Sequence, residues 1–327
     1  YYLFHKYSIY DLFIRKLIIR ALLYDKNHLD IVKLIMDSKV ITIGGNGVNP
    51  VEVGKNKPLI FIGGPCAIEN EVHTLHMAEE ISKICEDVGI KWIFKSCYDK
   101  DCRSSKDSFH GVGISEGLKI LSKVRDKFKV PVVSDFSDAS WAETTAEVCD
   151  LLQIPAYLCR QTSILRSAAL TKKPIHLKKG QFMSPWNMKN SVRKLESFGC
   201  EDVILTDRGT FFGYNQLVND MTSLPIMRKI GYPVCFDATH SIQLPTSMGN
   251  ISGGQREFIP YLIRAACACG INAVFMEVHD NPSKALSDAN TVLDLKYLKT
   301  ILSEAVEMHN LRIKLTNKNG EFNVHTD

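Results

Sequence analysis

Residues 58–95 read PLIFIGGPCAIENEVHTLHMAEEISKICEDVGIKWIFK. The segment opens with a short apolar run that favours a strand, Leu59–Gly63, and closes with a second such run, Lys91–Lys95. Between them, apolar side chains recur every three or four residues from Val72 to Val88, which is the spacing of one face of an α-helix. The segment therefore predicts two strands joined by a helix, a connection that favours parallel pairing.

The same alternation continues along the chain and predicts eight strands in all. The predicted strands are Leu59–Gly63, Lys91–Lys95, Pro131–Asp135, Leu151–Ile154, Pro174–Lys178, Asp202–Thr206, Pro233–Asp237 and Ala273–Glu277. Their continuous apolar runs are typical of strands buried on both faces of a parallel sheet. Eight such units over about 250 residues match an α/β protein with a closed (β/α)8 TIM barrel. An open doubly wound sheet is the alternative, but Gly63–Cys66 lacks the glycine spacing of a dinucleotide-binding turn.

The segments that flank the barrel divide the chain further. A short hairpin, Val40–Gly45 and Pro50–Val53 around Asn46-Gly47, is predicted ahead of the barrel and could close its bottom. Met36 is the first methionine, and the organised pattern begins after it. The predicted division is an N-terminal appendage outside the native fold at 1–35, a hairpin at 36–57, a catalytic barrel at 58–315 and a C-terminal tail at 316–327.

The composition favours a globular protein of a reducing compartment. The 327 residues are 45% hydrophobic and 23% charged, as in ordinary globular domains. A net charge of +4 is too small to indicate a nucleic acid or a membrane surface as a partner. The apolar stretch Phe13–Leu23 is too short and too charged for a membrane span. Ten cysteines without a C-x-x-C pair favour the cytoplasm, where most would be small buried hydrophobes.

The ends of the eight predicted strands carry polar or ionisable residues in every case. In order they are Cys66, Lys95, Asp135, Gln153, Lys178, Arg208, Asp237 with His240, and Glu277. In closed parallel barrels the chemistry lies at the carboxyl ends of the strands. One polar residue there would mean little, but a complete ring indicates a functional mouth. Ser252–Gly254 and Gly249 are expected to form a flexible loop beside it.

The first, seventh and eighth predicted strands become neighbours when the barrel closes. Their ends offer Cys66, His240 and Glu277, and the loop after the last strand adds Asp288. A thiolate, an imidazole and two carboxylates form a mixed donor set for Zn²⁺, Fe²⁺ or Mn²⁺. The competing interpretation is a buried free cysteine, a capping histidine and two solvated acids.

Cationic residues gather at the same predicted mouth. Lys95, Lys178 and Arg208 follow apolar runs directly and should be partly buried. Lys100 and Arg103 come from the loop after the second strand. Five cations around one mouth indicate anionic ligands with more than one phosphate or carboxylate group, whereas a set of ordinary surface lysines is the alternative.

Short motifs between about residue 38 and about residue 312 occur in the same order in one enzyme family. They are Gly64–Glu69, Phe94–Ser96, Asp99-Lys100, Arg103–Ser105, Gln153–Ala156, Arg160–Thr162, Lys178–Phe182, Asp207–Thr210, Phe212–Tyr214, Asp237–Ser241, Ser252–Gly254, Phe275–Glu277 and Leu286–Ala289. By these residues the chain resembles the 3-deoxy-D-manno-octulosonate 8-phosphate synthases, also called 2-dehydro-3-deoxyphosphooctonate aldolases. The resemblance is to their metal-dependent class, because an asparagine replaces Cys66 in the metal-independent class.

The resemblance implies a cytoplasmic enzyme that condenses phosphoenolpyruvate with D-arabinose 5-phosphate and water. The products would be inorganic phosphate and 3-deoxy-D-manno-octulosonate 8-phosphate, a lipopolysaccharide precursor. It also implies one divalent metal ion, Zn, Fe, Mn or Co, held by Cys66, His240, Glu277 and Asp288.

The same resemblance assigns substrate contacts. The residues implied for phosphoenolpyruvate are Lys95, Lys100, Gln153, Lys178, Arg208 and His240. Arg103 and Ser104 would grip the sugar phosphate, and Arg160 would reach in from a neighbouring subunit of a homotetramer. The residues expected to be catalytic are Lys95, Lys100, Asp135 and His240.

Three positions depart from the family's pattern. Cys102 stands where an asparagine usually precedes the Arg-Ser-Ser run, and His110 stands where arginine is usual. Ser137 interrupts the usual Asp-x-His-Glu run. Two alternatives therefore stay open: a related phosphoenolpyruvate–aldose phosphate condensing enzyme with another aldose preference, or a catalytically weak barrel that serves as a binding protein. The retained ligand and cationic residues argue against the second.

Overall fold

The computed structural model describes residues 39–101, 108–248 and 251–320. In this part of the chain the strands are β1 Ile41–Gly45, β2 Val48–Val53, β3 Ile60–Gly64, β4 Lys91–Lys95, β5 Val132–Asp135, β6 Leu151–Ile154, β7 Ile175–Lys178, β8 Val203–Asp207, β9 Thr210–Gly213, β10 Gln216–Val218, β11 Val234–Asp237, β12 Gln243–Met248, β13 Ile251–Gly254, β14 Ala273–His279 and β15 Leu293–Asp294. The α-helices are α1 Glu71–Val88, α2 Ile114–Phe128, α3 Ala142–Val148, α4 Thr162–Leu170, α5 Met188–Ser197, α6 Ser223–Arg228, α7 Ile259–Cys269 and α8 Leu298–Asn319.

Eight of these strands close into a parallel barrel. Strands β3 to β8 pair in sequence order, β8 pairs with β11, β11 pairs with β14, and β14 returns to β3. Every pairing in this ring is parallel. The predicted (β/α)8 TIM barrel is therefore confirmed, with each strand within two residues of its predicted bounds.

The first helix illustrates how local sequence sets the element boundaries. Asn70 precedes α1, and its side-chain oxygen accepts a hydrogen bond from the backbone N–H of His73, which satisfies one of the unpaired amides of the first turn. Gly89 ends the helix at a φ of 73°, where its backbone N–H bonds to the carbonyls of Cys85 and Glu86. A side chain at this left-handed position would be strained, so glycine favours the stop.

Alternating side chains along each barrel strand form two layers inside the barrel. In β4, Ile93 belongs to the lower apolar layer and Lys95, two residues later, to a polar layer above it; Val133 and Asp135 of β5 repeat the arrangement. The buried apolar layer consists of Ile60, Ile62, Ile93, Val133, Leu151, Ile204, Cys235, Ala273 and Phe275. The polar layer at the carboxyl ends rests directly on this core.

The N-terminal hairpin closes the bottom of the barrel, as predicted. Its strands β1 and β2 are antiparallel, and the turn residues Asn46 and Gly47 both have positive φ, at 48° and 95°. Its inward-facing residues belong to the same apolar cluster as the lower barrel layer; they are Ile41, Ile43, Val51 and Val53.

The chain termini, the end of the last helix and one predicted loop differ from the predicted boundaries or lie outside the described residues. Residues 1–38 and 321–327 lie outside the described residues, so the appendage at 1–35 remains a prediction. Helix α8 continues to Asn319, beyond the boundary predicted at 315. The segment Ser252–Gly254 was expected as a loop, but it belongs to β13, which pairs with β12; Gly249 is not described. No helix in the described ranges is long and apolar enough to span a membrane.

We expect Ile43→Ala to destabilise the protein by about 2–5 kcal/mol, because it leaves a cavity between the hairpin and the barrel. Ile43 is fully buried in the shared cluster. Thr42→Ala is the matched control on the exposed face of the same strand and should cost less than about 0.5 kcal/mol. Urea denaturation of both variants checks this. Equal stability of the two variants would mean that the hairpin does not belong to the core.

Candidate active site

The polar layer at the carboxyl ends of the strands is built on the ring of Phe275. The Nζ atom of Lys178 lies 3.2 Å from the centroid of this ring, and Nζ of Lys95 lies 5.5 Å from it. The ring of His240 is centred 5.9 Å away. An aromatic face attracts cations and excludes water from below, so Phe275 forms an apolar floor for the site.

The four predicted metal ligands converge at one side of this layer. One ligand atom each from Cys66, Glu277 and Asp288 lies within 4.8 Å of the others. Sγ of Cys66 is 3.2 Å from Oδ2 of Asp288. Nε2 of His240 lies 3.5 Å from Oε2 of Glu277 and 3.8 Å from Oδ2 of Asp288. Residues more than 200 positions apart in sequence thus form one candidate metal centre.

The chemistry of this cluster fits a divalent cation. Oε2 of Glu277 is buried and makes no hydrogen bond, which is costly for a carboxylate oxygen unless a ligand satisfies it. Burial, together with the neighbouring Glu277 charge, raises the pKa of the Cys66 thiol well above its ordinary value. A cation between these groups would offset both effects, because it binds thiolate and carboxylate together.

Asp237 orients His240 toward this cluster. Nδ1 of His240 lies 2.8 Å from Oδ2 of Asp237, so the proton on Nδ1 is donated to the carboxylate and Nε2 is left for a ligand. Nζ of Lys178 lies 2.6 Å from the same Oδ2 atom. Burial opposes ionisation of Asp237, but His240 and Lys178 hold its pKa well below the usual range.

Lys95 connects the candidate metal ligands with Asp135. Its Nζ atom lies 2.7 Å from Oε1 of Glu277 and 2.8 Å from Sγ of Cys97. The Cys97 thiol in turn donates to Oδ1 of Asp135 at 2.6 Å. Burial raises the pKa of Cys97 to about 12, so this thiol stays protonated and serves as a bridge. Nζ of Lys100 lies 3.7 Å from Oε1 of Glu277. Lys95 and Lys100 therefore approach the same carboxylate oxygen.

Two further predicted residues hold buried polar atoms without partners. Arg208 donates through Nη2 to Oε1 of Gln243 at 2.5 Å and to the backbone oxygen of His240 at 3.4 Å, but its buried Nε has no hydrogen-bond partner. Oε1 of the buried Gln153 is also unpaired. Buried polar groups without partners are uncommon, and a bound ligand is one way to satisfy them.

A cavity of about 110 Å³ opens beside the lysines, at the ends of β4, β5 and β6. Its lining is Asp99, Lys100, Asp101, Asp135, Phe136, Ser137, Pro155, Tyr157 and Leu158. Lys100 and Asp135 belong both to this cavity and to the polar layer. The cavity therefore leads from the surface to the candidate active site.

Of the three remaining predicted residues, the structure describes only Arg160. Arg103 and Ser104 lie in 102–107, outside the described residues. Arg160 is exposed on the surface after β6, where its backbone oxygen accepts a hydrogen bond from Lys194. Sequence reasoning missed the bridging role of Cys97, although its spacing of two from Lys95 on a strand end was a usable signal.

Asp237 was identified as a strand end but not as the residue that orients His240. The spacing of three residues between them, directly after a buried strand, was the available signal. Lys179, also unpredicted, is fully buried and contacts backbone oxygens and Asp207, so it serves the structure of the following turn.

Comparisons with known proteins place the chain among enzymes. A family model described as the DAHP synthetase I family matches residues 35–313. A protein of Geotalea uraniireducens named 2-dehydro-3-deoxyphosphooctonate aldolase is 53% identical over 79% of this chain and 94% of its own length. Proteins with the same name from a Cyanothece species and from Protochlamydia amoebophila are 52% and 49% identical, over 78% and 81% of this chain and 93% and 96% of their own lengths.

We expect Asp237→Asn to destabilise the protein by about 3–5 kcal/mol, because it leaves the buried Lys178 ammonium without its carboxylate. Adding Lys178→Met should restore most of the loss. Because the pKa of Asp237 is depressed in the fold, its stabilisation is complete above its unfolded pKa of about 3.9 and is lost as the pH falls through the folded value. Asp237→Asn should therefore lack this acid dependence.

Urea denaturation as a function of pH measures both effects. Asp126→Asn, at an exposed acid on α2, is the matched control and should cost less than about 0.5 kcal/mol. A double variant as unstable as Asp237→Asn alone would contradict the assignment of this ion pair.

Proposed function

Because the chain belongs to the DAHP synthetase I family, we propose that it condenses phosphoenolpyruvate with D-arabinose 5-phosphate and water. The products are 3-deoxy-D-manno-octulosonate 8-phosphate, a precursor of lipopolysaccharide, and inorganic phosphate. The name shared by relatives at 49–53% identity supports this choice of aldose within the family. The observation that carries the proposal is one barrel mouth that contains both a donor set for a divalent cation and buried cations.

The charges of the mouth suit anionic substrates that bind with a cation. Four cationic side chains and four carboxylates lie in the described part of the layer; they are Lys95, Lys100, Lys178 and Arg208 with Asp135, Asp237, Glu277 and Asp288. Two substrates that each carry a phosphate need additional positive charge in a buried site. A divalent ion and Arg103 would supply it.

The metal site would comprise Cys66, His240, Glu277 and Asp288, and Zn, Fe, Mn or Co suits this donor set. When bound, a divalent ion there supplies Lewis-acid polarisation of a carbonyl oxygen or activation of a water molecule. Asp237 keeps Nε2 of His240 directed at the other ligands through its hydrogen bond to Nδ1. The Cys66 thiol has to lose its proton for this role.

The cationic side chains of the protein position phosphoenolpyruvate. Lys178 and Arg208, with Lys95 and Lys100, can bind the phosphate and carboxylate of phosphoenolpyruvate and hold its C3 beside the aldehyde carbon. Such positioning can supply about 7–11 kcal/mol of the barrier when the geometry is favourable. The unpaired Nε of Arg208 is a donor of the required kind. Phe275 keeps water from the underside of the layer.

The reaction requires a balanced exchange of bonds and protons. C3 of phosphoenolpyruvate forms a bond to the aldehyde carbon with the electron pair of its double bond, while a water oxygen adds to C2. The bond from C2 to the bridging oxygen then breaks, and phosphate leaves with that oxygen. The aldehyde oxygen gains one proton. The water loses both of its protons, one as it adds to C2 and one as the C2 carbonyl forms, and the departing phosphate takes up the second. Lys95 and Lys100 are the ammonium donors in the mouth, and Asp135, whose pKa the two lysines hold down against the effect of burial, is an ionised acceptor.

We also propose that the protein is a homotetramer of the cytoplasm. Arg160 is exposed, which suits a residue that reaches the sugar phosphate of a neighbouring subunit in a homotetramer, and Arg103 and Ser104 complete that grip. The cytoplasm suits free cysteines, nine of which are described as unpaired. The family match begins at residue 35, the last residue of the predicted appendage, which supports a catalytic unit that excludes the rest of 1–35.

Phosphate release from phosphoenolpyruvate, measured with a panel of aldose phosphates, tests the proposed activity. The panel contains arabinose 5-phosphate, ribose 5-phosphate and erythrose 4-phosphate. We expect the highest kcat/KM with arabinose 5-phosphate. Preference for erythrose 4-phosphate would favour the alternative aldose specificity, and no release with any aldose would favour a binding protein.

Removal of the metal should abolish turnover, and Zn²⁺, Fe²⁺, Mn²⁺ or Co²⁺ should restore at least part of it. Cys66→Ala should reduce kcat by at least the factor of about 10–100 that changes around metal ligands cause. Cys269→Ala, at a cysteine on α7 away from the mouth, is the matched control and should keep full activity. Elemental analysis measures the bound metal in parallel. Full activity of metal-free protein would contradict the metal assignment.

A further inference from the structure

The carboxylate of Glu69 lies beside the candidate metal centre without being one of its predicted ligands. Glu69 lies between β3 and α1, three positions after the candidate ligand Cys66. Its side chain is largely buried, with 15% exposed. Oε1 accepts a hydrogen bond from the backbone N–H of Leu286 at 2.9 Å. This contact joins the loop after β3 to the loop between β14 and β15.

His279 holds the Glu69 carboxylate in place as a hydrogen-bond donor. Nδ1 of this buried histidine accepts a hydrogen bond from the backbone N–H of Asn281 at 2.9 Å. A backbone amide can only donate, so Nδ1 carries the lone pair and Nε2 carries the proton. Nε2 lies 3.2 Å from Oε1 of Glu69 and donates to it. The carboxylate oxygen that binds Leu286 is therefore fixed from a second side.

The two residues that follow Leu286 both contact Cys66. Oγ of Ser287 lies 3.0 Å from Sγ of Cys66, and Oδ2 of Asp288 lies 3.2 Å from the same sulfur. A hydroxyl can accept from a thiol and donate to a thiolate. The contact of Ser287 with Cys66 can therefore persist when the thiol loses its proton to a metal ion.

The backbone of Asp288 adopts a conformation that needs support from its surroundings. Its φ is 52°, in the left-handed region that is uncommon for residues other than glycine. On its carboxyl side, its carbonyl oxygen accepts hydrogen bonds from the backbone N–H groups of Thr291 and Val292 at 2.8 Å and 3.1 Å. On its amino side, Glu69 anchors Leu286. A sparsely populated backbone conformation persists where the surrounding structure holds it in this way.

We propose that Glu69 is a positioning residue of the metal centre, a role that rests on the metal site proposed above. Its carboxylate fixes the backbone at Leu286, so that Ser287 and Asp288 are presented to Cys66. Glu69 does not bind the ion and acts only through this loop. Residues that orient metal ligands contribute to metal affinity.

Three variants separate the hydrogen bonds of Glu69 from its length. Glu69→Met has a side chain of similar length that accepts neither bond. Glu69→Gln keeps an oxygen that can accept both bonds, and its amide nitrogen would face Nδ1 of His73, a buried atom without a hydrogen-bond partner. Glu71→Met, at a half-exposed carboxylate in the first turn of α1 that binds Lys123, is the matched control.

Hydrogen exchange of the metal-free full chain tests the anchor. The Leu286 amide should exchange about 10–100-fold faster in Glu69→Met, because it loses a bond to a charged acceptor. Glu69→Gln should recover most of the protection, and Glu71→Met should leave it unchanged. Protection of β4 shows that each variant is folded. If Glu69→Met does not fold, Glu69→Asp, whose carboxylate is one methylene further from Leu286, replaces it. Unchanged exchange of this amide would overturn the proposal.

Cobalt binding tests the consequence for the metal centre. Thiolate ligation gives Co²⁺ an intense near-ultraviolet absorption, which reports binding at Cys66. Titration against a competing chelator should give a Kd about 10–100-fold higher for Glu69→Met, and a Kd close to that of the wild type for Glu69→Gln and Glu71→Met. Equal affinity of Glu69→Met and the wild type would overturn the positioning role. A wild type without thiolate absorption would instead contradict the proposed metal site, and exchange of the Leu286 amide would then decide the anchoring role of Glu69 by itself.

Discussion

Closure of the parallel barrel forces the last inward side chain of every strand into one buried layer. Because side chains alternate, the residue two positions beyond each apolar core residue has to face the same interior. Lys95 above Ile93 and Asp135 above Val133 follow this rule. The ring of Phe275 belongs to the apolar core and forms the floor on which Lys95 and Lys178 of this layer lie. The position of the chemistry is thus a consequence of the fold.

Burial of so many charges is tolerable only because they pair. Lys178 is matched with Asp237, and Lys95 with Glu277, at 2.6 Å and 2.7 Å. The carboxylates of these pairs also belong to the candidate active site. Asp237 orients His240, and Glu277 is one of the candidate metal ligands. Removing one partner leaves an uncompensated charge, so stability and activity are coupled through the same residues. The remaining unpaired atoms, such as Nε of Arg208, are the positions that a ligand can satisfy.

The sequence predicted what depends on local pattern. Apolar runs located all eight barrel strands, and Asn46-Gly47 located the hairpin. The candidate site residues could be predicted from their positions at the strand ends, because barrel closure brings these ends together whatever the conformation of the loops. The sequence could not supply the Cys97 bridge, because it depends on side-chain rotamers and on a contact with Asp135, 38 positions away. The loop predicted at Ser252–Gly254 from its glycines was wrong, because pairing with β12 overrides the propensity of this segment for a loop.

In the proposed reaction the buried cations hold phosphoenolpyruvate so that its C3 attacks the aldehyde and water adds at C2. The most direct measurement is the position of oxygen label after turnover in ¹⁸O-labelled water, followed by mass spectrometry of both products. Cleavage between carbon and oxygen predicts label at C2 of the sugar acid and none in the released phosphate. Label in the phosphate would mean that water attacks phosphorus, and it would contradict the proposed condensation.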